Sequence, residues 1–144
     1  MTLNIRWNIP CSKKKQLPSK RIGGYVMNMY AGLLIKESLS DERILDFVEI
    51  KDVDIWATNN TPRYWTAVSF VSDCIDFPEK LSKALKEDSQ MIWYVDLKAD
   101  HTKYIVIKDL VLKYEIGNQI EKESVIKKCI ELGMPMEQLD WSEE

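Results

Sequence analysis

The chain has 144 residues and a mass of 16.9 kDa, with 45% hydrophobic and 30% charged residues. That length and balance suit one folded domain, and they argue against wholesale disorder and against two independent cores. The net charge of −3 argues against a nucleic-acid protein overall, and no apolar run approaches the ~18 residues of a membrane helix.

Taken in chain order, the first feature is charge. Residues 1–26 hold Arg6, Lys13, Lys14, Lys15, Lys20 and Arg21 and no acidic residue, so fourteen basic residues remain to face all 23 acidic ones. A basic arm on an acidic body can bind nucleic acid or an anionic surface, or it can lie as a solvated tail over its own body. Gly23-Gly24-Tyr25-Val26-Met27 can be encoded with GGAGGU a few bases before an AUG, as at a bacterial ribosome-binding site. The expectation is a basic N-terminal extension over 1–26, upstream of a natural start at Met27 or Met29, and a single α+β domain over 27–144. The competing reading is an ordinary Gly-Gly turn before a strand, in which case Trp7 and Ile9 can add a strand.

Residues 30–37 (YAGLLIKE) read as a short apolar strand. Ser40 reads as an N-cap, with Asp41 and Glu42 in the first turn of a helix whose apolar side is Ile44, Leu45 and Val48. Residues 47–57 alternate, placing Val48, Ile50, Val53 and Ile55 inward, with a slip at Lys51-Asp52 that predicts a bulge or turn. Residues 58–62 are a turn, and 64–71 (YWTAVSFV) a β-rich strand. Asp76, Pro78 and Glu79 predict a capped helix with Phe77, Leu81, Ala84 and Leu85 on one face. Residues 91–97 and 103–108 predict a hairpin, and 111–116 another strand. Asn118 and Glu121 open a second helix bearing Val125, Ile126, Cys129, Ile130 and Leu132; Gly133 stops it, and Pro135 leads into a tail with Leu139 and Trp141. The resulting order is β-α-β-β-α-β, then β-β-α. It predicts an α+β fold: a mostly antiparallel sheet with helices on one face, built as a ferredoxin-like βαββαβ core plus a ββα extension. A single antiparallel sheet of different strand order is the alternative.

Several segments, "GLLIKESL", "YWTAVSF", "WYVDLKADHTKYIVIKDLVLKYEIG" and the closing "ELGMPMEQLDW", cover most of residues 32–141. In them the chain resembles a group of short uncharacterised prokaryotic proteins that end in a G-x-P-x-x-Q-L-D-W-like tail. The resemblance implies a small cytoplasmic domain of bacteria, archaea or their mobile elements, and no activity. Residues 1–29 lie outside it.

The chemistry is narrowed by what is missing. Cys11, Cys74 and Cys129 are odd in number and far apart, which supports neither a disulfide framework nor a zinc site and fits a reducing compartment. Cys129 is expected as a small core hydrophobe. The single histidine, His101, sits in a polar turn beside Asp100, a solvated position rather than that of a catalytic base. No P-loop, G-x-S-x-G or G-x-G-x-x-G occurs. Carboxylates remain: Asp52, Asp54 and Asp96 on strands and Glu37 at a strand end, with Arg63 or Lys103 as a partner for Asp96. So do strand aromatics. The pairs Tyr64-Trp65 and Trp93-Tyr94 are expected to split across the sheet, one ring in the core beneath the helices and one on the other face. An open face of that kind can stack bases, but it lacks a basic, glycine-bearing signature. Acidic and aromatic together, it suits a basic protein partner.

The sequence therefore leads to a small cytoplasmic, non-enzymatic binding protein. Its expected partner is another protein, or a second copy of itself, in the manner of immunity, antitoxin or phage–host conflict proteins. The candidate binding residues are Trp56, Trp65, Tyr94, Asp96 and Glu37; no cofactor, metal or membrane is expected. The alternatives are a small-ligand or nucleotide binder or enzyme using these carboxylates and aromatics, and RNA binding through the basic arm.

Overall fold

The structure is a computed structural model and describes residues 29–143; the expectations for the basic arm, Cys11 and the start at Met27 lie outside the described residues. Six strands form one sheet: β1 (Tyr30–Ile35), β2 (Glu49–Ala57), β3 (Tyr64–Ser72), β4 (Tyr94–Ala99), β5 (Thr102–Ile107) and β6 (Leu110–Glu115). Their order is β2-β3-β1-β4-β5-β6, and every neighbouring pair is antiparallel. Two α-helices, α1 (Phe77–Ala84) and α2 (Gln119–Glu131), and three 3-10 turns (Lys36–Ser38, Glu42–Phe47 and Met136–Gln138) complete the fold. The α+β class and the antiparallel sheet are as expected from the sequence. Among the described residues, no helix is long and apolar enough to cross a membrane.

The helices do not share a face of the sheet. Val95, Leu97 and Val106 pack with Phe77, Leu81 and Leu85 of α1 and its C-cap, whereas Ile105, Ile107 and Tyr114 pack with Val125 and Cys129 of α2. Ile105 and Val106 are consecutive on β5, and consecutive strand residues point to opposite sides. The expectation of helices on one face is thus corrected to two cores on two faces. The α1 core spans β1, β3, β4 and β5; the α2 core covers β5 and β6.

The first crossover also differs from expectation. Residues 42–47 form a 3-10 turn, and its cap is Asp41, whose Oδ1 accepts from the Arg43 N–H at 3.1 Å. Ser40 is engaged elsewhere: its N–H and hydroxyl both donate to the Ala84 carbonyl, at 2.7 and 3.1 Å. Tied to the end of α1, so short a segment gains little from helical propagation. It leaves Ile50, Val53 and Ile55 between 41% and 60% exposed, although the sequence pattern points them inward. The expected bulge does occur, as a register shift between Ile50 and Asp52.

The remaining caps follow local chemistry. Asn118 Oδ1 accepts from the Glu121 N–H at 3.1 Å, while Glu121 turns to accept from the Glu115 N–H at 2.8 Å instead of closing a capping box. Gly133, at φ +102°, ends α2: its N–H donates to the Ile130 carbonyl and the Met134 N–H to Cys129, the paired bonds of a Schellman end. Asp76 precedes α1 without a side-chain cap and accepts from Cys74 Sγ. Beyond α2 the tail lays Leu139 and Trp141 into the second core, with Trp141 against Tyr114.

Candidate functional site

Beyond the reach of α2 and the tail, the face opposite α1 is open among the described residues. The strand register decides which side chains look out there. Trp56 and Trp65 are direct partners across β2 and β3. Leu33 and Ile35 of β1 sit opposite Ser69 and Ala67 of β3. Tyr94 and Asp96 alternate onto the same face of β4. Since β1 lies between β3 and β4, its two aliphatic side chains form a floor, with indoles on one side and Tyr94 and Asp96 on the other. Together these groups line a cavity of about 400 Å³, within the size range of binding sites. Four of the five residues anticipated from the sequence therefore come together.

Glu37 does not line this cavity. It stands just past β1, where β3 continues with β2 on one side and no described strand on the other, and its carboxylate accepts from the Thr66 N–H at 2.7 Å and the Thr66 hydroxyl at 3.0 Å. Burial alone would raise its pKa, but the bonds from Thr66 outweigh that and hold it below the ordinary value. Glu37 is a brace that replaces a missing strand carbonyl.

Trp93 is the residue that sequence reasoning misplaced. Because β4 begins at Tyr94, Trp93 escapes the strand alternation and packs on Trp65, with ring centroids 5.0 Å apart and planes 55° apart. Trp93 and Tyr94 therefore line the same cavity, not opposite faces. The Trp93 indole N–H donates to Asp88 Oδ2 at 3.3 Å, while the buried Trp65 indole N–H has no acceptor among the described residues. Tyr64 lies on the α1 side but beyond the helix, 56% exposed, under the Arg63 guanidinium, so it does not join the core.

Asp96 Oδ1 accepts from Lys103 Nζ at 2.7 Å. Lys103, not Arg63, is the partner. The ammonium is almost wholly buried, at 4% exposure, and Asp96 is 35% exposed. Lys103 also donates to the Ser142 carbonyl, so the tail closes over the pair. Beside it, the Tyr114 hydroxyl donates to Glu143 at 2.6 Å and Lys122 pairs with Glu143 at 3.0 Å. Burial first, and the Glu143 carboxylate second, push the Tyr114 hydroxyl well up. Tyr94 is pushed up too, by burial and then by the Asp96 charge, and its hydroxyl donates to the Gln138 carbonyl at 2.8 Å. These contacts hold the β4 wall of the cavity rigidly.

A second hollow of about 430 Å³ lies between the 42–47 turn and α1, lined by Arg43, Asp46, Phe47 and Lys80. Its cations are already paired: Arg43 with Asp41, Lys80 with Asp76 and Lys83 with Asp109. His101 is solvated in its turn, 3.8 Å from Asp100, and Cys129 is buried, which raises its thiol pKa. Among the described residues no cluster of His, Cys, Asp and Glu could hold a metal ion. Comparison of the chain with family models, curated proteins and solved structures found no match.

Proposed function

We propose that the chain is a non-enzymatic binding protein whose open sheet face docks a protein partner with a basic surface. The observation that carries this reading is the convergence of Trp56, Trp65, Tyr94 and Asp96 on one concave face. Aromatic side chains are the residues that most often anchor interfaces. The acidic excess of residues 27–144 favours encounter with a cationic partner. Inhibition of a basic, nucleic-acid-handling protein, as by an immunity protein or antitoxin, is the concrete form of this reading. A cytoplasmic location belongs to it, as does the resemblance to short prokaryotic proteins.

A ferredoxin-like origin of the first four strands is part of the proposal. Their order, β2-β3-β1-β4 with antiparallel neighbours, supports it, with 3-10 turns standing where that plan has its first helix.

Affinity capture from the source cell tests the reading. A stoichiometric protein retained by the full chain, released by about 0.5 M salt and lost with Asp54→Lys supports it. Nucleic acid retained only while residues 1–26 are present overturns it in favour of the basic arm. The second reading, a small-ligand site, draws on the concavity itself, about 400 Å³ and therefore deep enough for a compact molecule.

A further inference from the structure

We propose that the cavity is a socket for a single arginine side chain presented by the partner, an inference that rests on the docking reading above and names its chemistry. Three observations point to a planar cation. The first is the wall. Trp56, Trp65, Trp93 and Tyr94 line one cavity, and the Trp65 and Trp93 rings pack as a tilted pair, 5.0 Å apart with planes at 55°, instead of a parallel stack. Tryptophan faces attract cations more strongly than other rings do. The second is the carboxylate. Lys103 occupies Oδ1 of Asp96, while Oδ2 has no partner among the described residues and the side chain stays 35% exposed. That oxygen is a fixed acceptor at the edge of an aromatic cage.

The third observation is the surrounding charge. After the bulge, Asp52, Asp54 and Trp56 share one face of β2, opposite Ser69, Ala67 and Trp65. The open face thus carries three carboxylates, Asp96 in the cavity wall and Asp52 and Asp54 along the strand that leads to Trp56, against Lys98 and the already paired Lys103. A nucleotide would bring its phosphates against these carboxylates. Guanidinium, in contrast, is flat enough to lie on an indole, is weakly hydrated, and donates in-plane to a carboxylate edge. A lysine ammonium would have to shed a tighter hydration shell to enter the same slot.

The test uses the full chain, with its indole N–H signals followed by NMR during titration with acetyl-Gly-Arg-Gly-amide. The matched peptide with citrulline, which keeps the shape and loses the charge, is the control. Saturable shifts confined to Trp56, Trp65 and Trp93, with a dissociation constant on the order of 1 mM, are expected. Binding should fall at least about tenfold with citrulline and again with Trp56→Ala, and it should be unchanged in Tyr64→Ala on the opposite face. Equal binding of the two peptides, no saturation by about 20 mM, or tighter binding of adenosine overturns the proposal. The capture experiment is independent of this one. A partner lost with Asp54→Lys but no arginine preference would sink the socket alone; an arginine preference without a captured partner would sink the docking reading alone.

Discussion

The two ends of the sheet are made of similar strands and meet opposite fates. At one end, β5 carries Ile105, Val106 and Ile107 in succession, all buried, because α1 covers one face and α2 with its tail covers the other. At the other end, β2 has nine residues and not one is buried. The difference lies in the crossing segments. A thirteen-residue helix followed by a tail with Leu139 and Trp141 can close a face; a six-residue 3-10 turn reaches only the start of the strand beside it. The covered end holds the molecule together and fixes β4. The bare end leaves aromatic side chains available, and the cavity forms where the two conditions meet.

The comparison breaks first if core truncation at the covered faces costs no more than truncation at the bare end. Phe77 is fully buried and touches Phe70 and Tyr30, with ring centroids 5.5 and 6.3 Å away. Phe77→Ala should lower unfolding stability by about 3–5 kcal/mol, a large share of the ~5–15 kcal/mol total of a typical domain. Urea unfolding midpoints measure it.

Next in size is the buried ion pair. Asp96→Leu leaves the Lys103 ammonium buried with the Ser142 carbonyl as its remaining partner. The expected loss is about 2–3 kcal/mol, less than the ~3–5 of a fully buried pair because Asp96 is partly wet. Lys103→Met leaves a carboxylate that water can reach and should cost about 1 kcal/mol. The reverse ranking, read from the same unfolding curves, would mean that the tail does not seal the ammonium.

Part of this asymmetry is legible in the sequence. The bulge at Lys51-Asp52, the cap at Asn118 and the stop at Gly133 are local events, encoded by residues that touch one another. Three consecutive apolar residues in KYIVIK also carry the mark of a strand covered on both faces, against the expectation of helices on one face. What alternation could not reveal is whether a face is covered at all: Val53 and Ile55 share a side of β2 as expected, yet nothing among the described residues closes over them. Trp56, Trp65, Tyr94 and Asp96 could be placed on strands, but their convergence depends on β1 lying between β3 and β4, which is a long-range pairing. Trp93 carried no local signal, because its direction hinges on a strand beginning one residue later.

A smaller effect tests the brace at the border between the ends. Glu37 is held below the ordinary carboxylate pKa of 4.5 by Thr66. A group with a depressed folded pKa contributes stability that is fully present above the unfolded value and lost as pH falls through the folded one. Glu37→Gln keeps one carbonyl acceptor, so wild type should exceed it by about 1 kcal/mol above pH ~5. That gap should shrink below pH ~4.5. A melting-temperature difference that widens on acidification would contradict the brace.

The smallest expected effect sharpens the comparison most. Val53 and Ile55 are 53% and 60% exposed, on the side of β2 away from the cavity. Val53→Thr with Ile55→Thr keeps β-branching, and therefore strand preference, while removing apolar surface that touches little. Stability should change by no more than about 0.5 kcal/mol per site, and arginine-peptide binding should not change. A large loss of stability would show that this face is covered in the folded chain. A loss of peptide binding with stability intact would show that the bare end works as a unit through both faces of β2, and not through the cavity face alone.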